Sequence, residues 1–173
     1  LLVVGDKINR DKSDPSWHIQ MKEALEKAAA DADSGVEWLG GVSRDESMAA
    51  ISSAHIGLGW RTAVLDSSLE VSTKALEYSA LGTPALVNFN DDTRALFGSD
   101  YPFFIDAQAT AVDAAKVIAK TANSIDLMSP KVRGKVANFS MDSAVERLTG
   151  YFEAAGIVRS SNRSVPMDAI KVV

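Results

Sequence analysis

The 173-residue sequence contains no cysteine. This absence excludes a disulfide scaffold, a thiolate nucleophile and a cysteine-ligated metal, and it is typical of a reducing compartment, so we expect a cytoplasmic protein. Histidine is scarce as well, because His18 and His55 are the only two and stand far apart in the sequence. A catalytic zinc site is therefore not expected.

Basic charge and long apolar runs are also lacking. The 18 Lys and Arg residues are outnumbered by 23 Asp and Glu residues, which gives a formal net charge of −5. Without a basic stripe to neutralise phosphates, nucleic-acid binding is not expected. No apolar run approaches the roughly 20 residues that a membrane-spanning helix needs. The glycine motifs of dinucleotide dehydrogenases, P-loop enzymes and α/β-hydrolases are absent, which argues against those classes.

Short apolar runs alternate with helical patterns along the chain. Five runs predict strands because each is bounded by Gly, Pro or polar residues; they lie at 1–4, 36–39, 56–60, 84–88 and 102–105. None shows the two-residue alternation of a half-exposed strand, which indicates burial on both faces. Strands that alternate with helices predict an α/β fold, namely a Rossmann-like parallel sheet with helices on both faces.

Helix-start signals mark the segments between these strands. Asp14 is a predicted N-cap before Pro15, Ser43 and Glu46 form a capping box, and Ser140 caps a last amphipathic helix. Further helices are predicted at 72–81, 91–97 and 109–123, whereas 61–68 is interpreted as a loop and 124–137 is left unassigned. Ligands of such sheets bind at the carboxyl ends of the strands, so the turns that follow the strands are the candidate site.

The helix after the third strand carries the most specific pattern. Ser72 is its predicted N-cap, Lys74 and Glu77 stand one turn apart, and Gly82 and Pro84 end the helix and open the fourth strand. A helix N-terminus suits phosphate, and a carboxylate suits sugar hydroxyls. The pattern therefore favours a nucleotide diphosphate that carries a sugar. A solvent-exposed Glu–Lys pair is the simpler interpretation of the same two charged residues.

Two other polar positions follow predicted strands. Arg61 comes directly after the third strand, where its side chain reaches either phosphate and sugar or the solvent. Asp91 and Asp92 come after the fourth strand, and an N-terminal cap for the next helix explains them better than a metal site.

The segment 72–84, STKALEYSALGTP, resembles the donor-site signature of retaining GT-B glycosyltransferases, whose common form is Pro-x-Lys-x-x-Glu-Tyr/Ala-x-Ala-x-Gly-x-Pro. Three further segments are similar to the same family and keep its order: LLVVGD at 1–6, VEWLGGVS at 36–43 and FSMDSAVERL at 139–148. The resemblance covers roughly residues 1 to 154. It implies a nucleotide-sugar-binding domain of a transferase.

The resemblance implies roles for residues of this helix. Glu77 takes the position of the carboxylate that accepts hydrogen bonds from the nucleotide ribose, and Lys74 matches a family lysine of less uniform role. The amides of Ser72 and Thr73 lie where backbone donors face phosphate. Gly82 is expected to allow tight packing between the helix and the next strand.

The remaining site positions come from neighbouring segments. Gly41 and Val42 are expected near the stacked base. Leu69 stands where many family members carry a second Glu, so Glu70, displaced by one position, is the candidate for sugar contact or catalysis. Ser72 replaces the usual Pro.

The resemblance implies part of an enzyme. The family's first unit of the donor domain, with an Arg and a Lys that hold the diphosphate, has no counterpart in the sequence, nor has the N-terminal acceptor domain. Because Leu1 stands inside a predicted strand, we expect an upstream segment. We predict a donor-binding domain at 1–155 and a C-terminal tail at 156–173. The expected activity is sugar transfer from a nucleotide-diphosphate sugar without metal or cofactor, and the isolated chain is expected to be inactive.

Two alternatives remain open at this point. A sugar-nucleotide epimerase of the same architecture would use the same nucleotide site. A non-catalytic Rossmann-like domain would bind a nucleotide, or only a protein partner through an exposed apolar patch.

Overall fold

The structure, a computed structural model, describes residues 1–8, 14–66 and 72–157. The chain divides into two compact units, one spanning Leu1–Val136 and one that begins at Ala137. The first unit contains every described strand. The predicted domain at 1–155 and tail at 156–173 stay predictions.

The fold is α/β, with parallel sheets flanked by helices. One sheet pairs β1 with β2, and the other has the order β3-β4-β5. All pairs are parallel, with Leu2 opposite Glu37, Leu58 opposite Leu86, and Val87 opposite Phe104. The strands are β1 Leu2–Val3, β2 Glu37–Trp38, β3 Gly57–Leu58, β4 Ala85–Asn88 and β5 Phe104–Ile105. Each lies inside a predicted strand, and each is shorter than predicted.

Eight α-helices occur in the described part of the chain, and most follow the predicted segments. They are α1 Trp17–Ala30, α2 Arg44–Ser53, α3 Ala63–Asp66, α4 Thr73–Ala80, α5 Asp91–Phe97, α6 Ala111–Thr121, α7 Ile125–Val136 and α8 Met141–Ala154. Short 3-10 helices occupy Ala32–Ser34, Ala122–Ser124 and Ala137–Phe139.

Three local sequence interpretations need correction. The N-cap position of α1 is Ser16, because the helix begins at Trp17, although the side chain of Ser16 makes no capping hydrogen bond. Asp14 lies before this position and accepts hydrogen bonds from the Ser16 backbone and hydroxyl at 3.0 and 2.6 Å. The predicted loop after β3 contains α3. The unassigned segment 124–137 forms α7, which buries Met128, Val132 and Val136 at four-residue spacing although Pro130 interrupts its hydrogen bonding.

The core of the first unit is built around β4. Its residues Ala85, Leu86, Val87 and Asn88 are all at most 2% exposed, which confirms burial on both faces for this strand. The Tyr101 hydroxyl replaces a strand partner at the start of β4. It accepts a hydrogen bond from the Ala85 amide at 2.8 Å and donates one to the Ala85 carbonyl at 2.7 Å.

Burial on both faces is wrong for β2, whose Glu37 is exposed. It is wrong as well for β1 and β3. Leu2 is 36% exposed and Leu58 is 43% exposed. In the described part of the chain each of these strands is paired on one edge only, by β2 and by β4 respectively. Their side chains therefore lack the neighbours that a central strand has.

The C-terminal end of α4 is held by α7. Ser129 donates a hydrogen bond to the Gly82 carbonyl at 2.5 Å, and Arg133 donates one to the Leu81 carbonyl at 2.7 Å. Gly82 has φ of +82°, and a Cβ there would lie 2.6 Å from the Arg133 guanidinium. The positive φ favours glycine at this position, and the close contact is with side chains of α7 rather than with a strand.

The second unit is described by its helix α8. Ser140 caps the helix as predicted, and its hydroxyl accepts a hydrogen bond from the Ser143 amide at 3.2 Å. The apolar side chains keep the predicted spacing but remain exposed, at 78, 54, 52 and 46% for Met141, Val145, Leu148 and Phe152. No residue of α8 is buried.

Candidate functional site

The turns after β1 and β2 are joined at the carboxyl ends of these strands. The Gly5 amide donates to the Gly40 carbonyl at 2.7 Å, and the Trp38 indole donates to the Gly5 carbonyl at 2.8 Å. The carboxylate of Asp6 lies against Gly41, since a Cβ on Gly41 would be 2.6 Å from Asp6 Oδ2. A side chain at position 41 would therefore require the Asp6 carboxylate to move.

Val42, half-buried, leads from this turn into the capping box of α2. The Ser43 hydroxyl accepts a hydrogen bond from the Glu46 amide at 3.2 Å, and the Glu46 carboxylate accepts one from the Ser43 amide at 2.8 Å. The Ser43 hydroxyl also donates to the Glu46 carboxylate at 2.7 Å, and this hydrogen bond together with that from the Ser43 amide lowers the pKa of Glu46. The box confirms the sequence prediction and fixes where Arg44, the first residue of α2, leaves the turn.

Arg44 connects this turn to α4. Its Nη2 atom lies 3.6 Å from Oε1 of Glu77, whose side chain is 41% exposed. Glu77 is therefore accessible and paired. Lys74 is exposed and forms no ion pair within the described part of the chain, so the Glu–Lys pair considered from the sequence is wrong. A Lys that precedes a Glu on a helix is the weaker order, and Arg44 approaches from a different helix.

The N-terminus of α4 is capped as predicted. The Ser72 hydroxyl accepts a hydrogen bond from the Ala75 amide at 3.4 Å. Helix geometry leaves the amides of Thr73 and Lys74 without an intrahelical acceptor. These donors and the positive end of the helix dipole favour an anion at this point.

Gly57 of β3 allows α4 to lie close above the sheet, whereas the close neighbour of Gly59 is β4. A Cβ on Gly57 would be 2.3 Å from Cδ2 of Tyr78, and a Cβ on Gly59 would be 3.0 Å from Cγ1 of Val87 and 3.7 Å from Cβ of Ala75. Burial of the Tyr78 hydroxyl, with a smaller effect of the Glu77 charge, raises the pKa of Tyr78. The position of Glu77 thus depends on the absence of a side chain at Gly57.

Arg61 is held by a different element. The Asn88 side chain accepts a hydrogen bond from the Arg61 amide at 2.7 Å and donates one to the Arg61 carbonyl at 2.8 Å. Asn88 is 2% exposed, and its own carbonyl accepts a hydrogen bond from the Thr93 hydroxyl at 2.6 Å. The preceding residue, Trp60, has a buried indole N–H that finds no acceptor in the described ranges.

Sequence reasoning did not single out Arg44 or Asn88. Arg44 was visible only as part of a capping box, which gives no indication of its neighbour on α4. Asn88 did carry a signal, because a polar residue that ends an otherwise apolar buried strand stands at the carboxyl edge where ligands bind.

The remaining predicted positions lie at the start of α5 or outside the described residues. Glu70 belongs to the latter group. The cap of α5 is Asn90, whose side chain accepts a hydrogen bond from the Thr93 amide at 2.8 Å. Asp91 and Asp92 occupy the first turn instead, and Asp91 pairs with Arg94 at 2.9 Å. No group of three or more potential metal ligands is present among the residues that the structure describes.

A separate groove lies between α5 and α7. It has a volume of about 440 Å³ and an apolar floor that includes Phe97, Tyr101, Met128 and Val132, with Lys131 and Lys135 at its sides. The Tyr101 hydroxyl contacts Ala85, the first residue of β4, which places the groove at the amino end of the strands. Ligands of doubly wound sheets bind at the opposite end.

Comparison with known proteins assigns no family to the chain. No protein-family model matches the chain, and no curated protein matches it significantly. Over the described ranges, none of the helices has the combination of length and apolar character that crossing a bilayer requires.

Proposed function

We propose that the chain is the donor-binding part of a retaining GT-B glycosyltransferase, which moves a sugar from a nucleotide-diphosphate sugar to an acceptor held by another domain. The observation that carries the proposal is the meeting of Arg44 and Glu77 at 3.6 Å. It joins the predicted base-binding turn to the helix that presents both a carboxylate and free amides.

Each contact predicted for the nucleotide sugar has a physical basis at the carboxyl edge of the sheets. Glu77 is an accessible carboxylate that exchanges its weak ion pair with Arg44 for hydrogen bonds from ribose hydroxyls. The amides at the start of α4 bind phosphate oxygens. The base lies beside Gly41 and Val42, at the turn that the Asp6 carboxylate contacts.

Catalysis in this account consists of positioning and of electrostatic stabilisation of the departing diphosphate. The positive end of α4 and nearby cations supply that stabilisation without a metal. Arg61 is one such cation, placed by the turn after β3. Lys74, exposed in the first turn of α4, is another.

The proposal includes partners. We infer that an upstream unit completes the sheet and that a separate domain holds the acceptor. The exposed side chains of Leu2 and Leu58, on strands that are paired along one edge, support an added strand. The second candidate function is a module that binds a protein partner, which the exposed apolar stripe of α8 favours.

The test is a titration of the full chain with UDP, GDP and ADP, each compared with its monophosphate. We expect one base to be preferred and its diphosphate to bind more tightly than the monophosphate, because phosphate contacts at α4 add to the ribose contact. No binding of any of them at millimolar concentration would favour the partner-binding module.

An assay of nucleotide-sugar consumption tests separately whether the chain is only part of an enzyme. We expect no sugar transfer by this chain alone. Turnover should require a longer protein that supplies the upstream unit and the acceptor domain. Robust turnover by the 173-residue chain would contradict the partial-enzyme account.

A further inference from the structure

The backbone after β3 is held by a side chain rather than by a strand. The last backbone hydrogen bond from this segment to β4 joins the Gly59 amide to the Leu86 carbonyl at 2.9 Å. Two residues further on, the amide and the carbonyl of Arg61 both bond to the Asn88 side chain, at 2.7 and 2.8 Å. The Asn88 side chain therefore takes the place of the next backbone hydrogen-bond partner, beyond the point where β3 and β4 separate.

A carboxamide has both groups that this contact needs at neutral pH. It offers a carbonyl acceptor and an N–H donor on one planar group, whereas a carboxylate only accepts and an aliphatic side chain does neither. Asn88 itself is 2% exposed, and Arg61 is half-buried. A buried backbone amide and carbonyl that lose such partners are costly, so the backbone moves when the amide is removed.

We propose that Asn88 is a positioning residue for the diphosphate. Its buried amide holds the Arg61 backbone at the carboxyl edge of the sheet, so that the Arg61 guanidinium meets the phosphates bound at α4. This inference rests on the proposed function and extends it from Glu77, which contacts the ribose, to the phosphate end of the ligand.

The experiment compares the full wild-type chain with Asn88→Ala, Arg61→Ala, the double variant and Val87→Ala. Val87 is the neighbouring residue of β4 and is 1% exposed, so its truncation matches the loss of buried volume without touching Arg61. The probe is whichever of UDP, GDP and ADP the wild type binds best. The corresponding nucleoside without phosphate is titrated alongside it.

We expect Asn88→Ala to weaken diphosphate binding about tenfold and nucleoside binding less than about twofold, because a charge-assisted phosphate contact is lost. Arg61→Ala should show the same selective loss, and the double variant should lose no more than either single variant. Val87→Ala should unfold more easily while both affinities stay within about twofold of the wild type. If Asn88→Ala resembles Val87→Ala in binding, the positioning role is wrong and the proposed function stands.

Asn88→Asp provides a pH readout that a purely structural role does not give. The protonated acid has the donor and acceptor that the amide has, whereas the carboxylate faces the Arg61 carbonyl without a proton. We expect its diphosphate affinity, relative to the wild type at the same pH, to recover as the pH is lowered. A ratio that does not change with pH would overturn the account.

Hydrogen exchange at the Arg61 amide separates this inference from the proposed function. We expect exchange to be at least about tenfold slower in the wild type than in Asn88→Ala, whether or not nucleotide binds. If the wild type binds no nucleotide, the proposed function fails, and slow exchange still supports the Asn88 contact. Equal exchange rates of the Arg61 amide in the wild type and in Asn88→Ala would overturn the Asn88 contact.

Discussion

The ring of Tyr78 lies directly on Gly57, so close that a Cβ on the glycine would be 2.3 Å from the ring carbon Cδ2. This contact sets the height of α4 above β3. Because Glu77 precedes Tyr78 on the same helix, the glycine also sets where the carboxylate meets Arg44. A site residue on a helix thus depends on the absence of a side chain in the strand below it.

Gly57→Ala should destabilise the chain by about 1–3 kcal/mol, because the added methyl group forces α4 away from the sheet. The free energy of unfolding from urea titration measures the change. Gly150→Ala is the matched control, since a Cβ there meets nothing within 4 Å inside α8, and it should stabilise the helix by up to about 1 kcal/mol. Equal stability of Gly57→Ala and the parent would show that the contact does not hold α4 in place.

The single-sided pairing of β3 should make the chain associate in solution. Gly57 and Gly59 donate their amides to β4, so the amide of Leu58 between them points to the opposite edge. Edges of this kind recruit further strands, and an exposed Leu58 strengthens the tendency. Sedimentation velocity over a range of concentrations should show association, and Leu58→Lys should reduce it.

Leu148→Lys is the control for the edge, because Leu148 is similarly exposed but lies on α8. If only Leu148→Lys abolishes association, the apolar stripe of α8 is the surface responsible. A chain that stays monomeric at all concentrations, with a protected Leu58 amide, would contradict the open-edge account.

Alkaline pH should destabilise the fold through Tyr101. Burial raises the pKa of Tyr101 in the folded chain, whereas an unfolded tyrosine ionises near pH ~10. Stability is therefore unaffected below pH ~10 and falls above it, because only the unfolded chain releases the proton readily. Tyr101→Phe should reduce this loss without abolishing it, since the pKa of Tyr78 is raised too.

At neutral pH the same Tyr101→Phe variant should be less stable than the parent by about 1–3 kcal/mol, because the Ala85 amide and carbonyl lose their shared partner. Urea titrations between pH 7 and 11 measure both effects. If the free energy of unfolding of Tyr101→Phe falls with rising pH as steeply as that of the parent, a group other than Tyr101 controls the loss of stability.

Local sequence signals predicted three of the helix starts correctly. The capping box of Ser43 and Glu46 and the caps at Ser72 and Ser140 involve residues within one turn of each other, so the sequence contains the whole interaction. The segment of α7 was missed because Pro130 is unfavourable within a helix, although Met128, Val132 and Val136 keep a helical spacing.

The contacts that build the site could not be predicted in the same way. Asn88 and Arg61 are 27 positions apart, and their hydrogen bonds exist only after β3 and β4 have paired. The partner of Glu77 is likewise set by how α2 and α4 pack, so the helix alone pointed to Lys74 instead of Arg44. The position of Glu77 on α4 was predictable, and its neighbour was not.

The most direct test of the account is the affinity of the chain for the best-bound nucleoside diphosphate before and after Glu77→Gln. Glu26→Gln is the control, because Glu26 also pairs across a helix face, with Lys22 at 3.7 Å. Loss of charge-assisted hydrogen bonds to the ribose should weaken binding about tenfold to a hundredfold in Glu77→Gln. Its thermal midpoint should move by only a few degrees at most, since an exposed ion pair adds little stability. Glu26→Gln should bind like the parent. Equal affinity of Glu77→Gln and the parent would remove Glu77 from the site and contradict the donor-binding function.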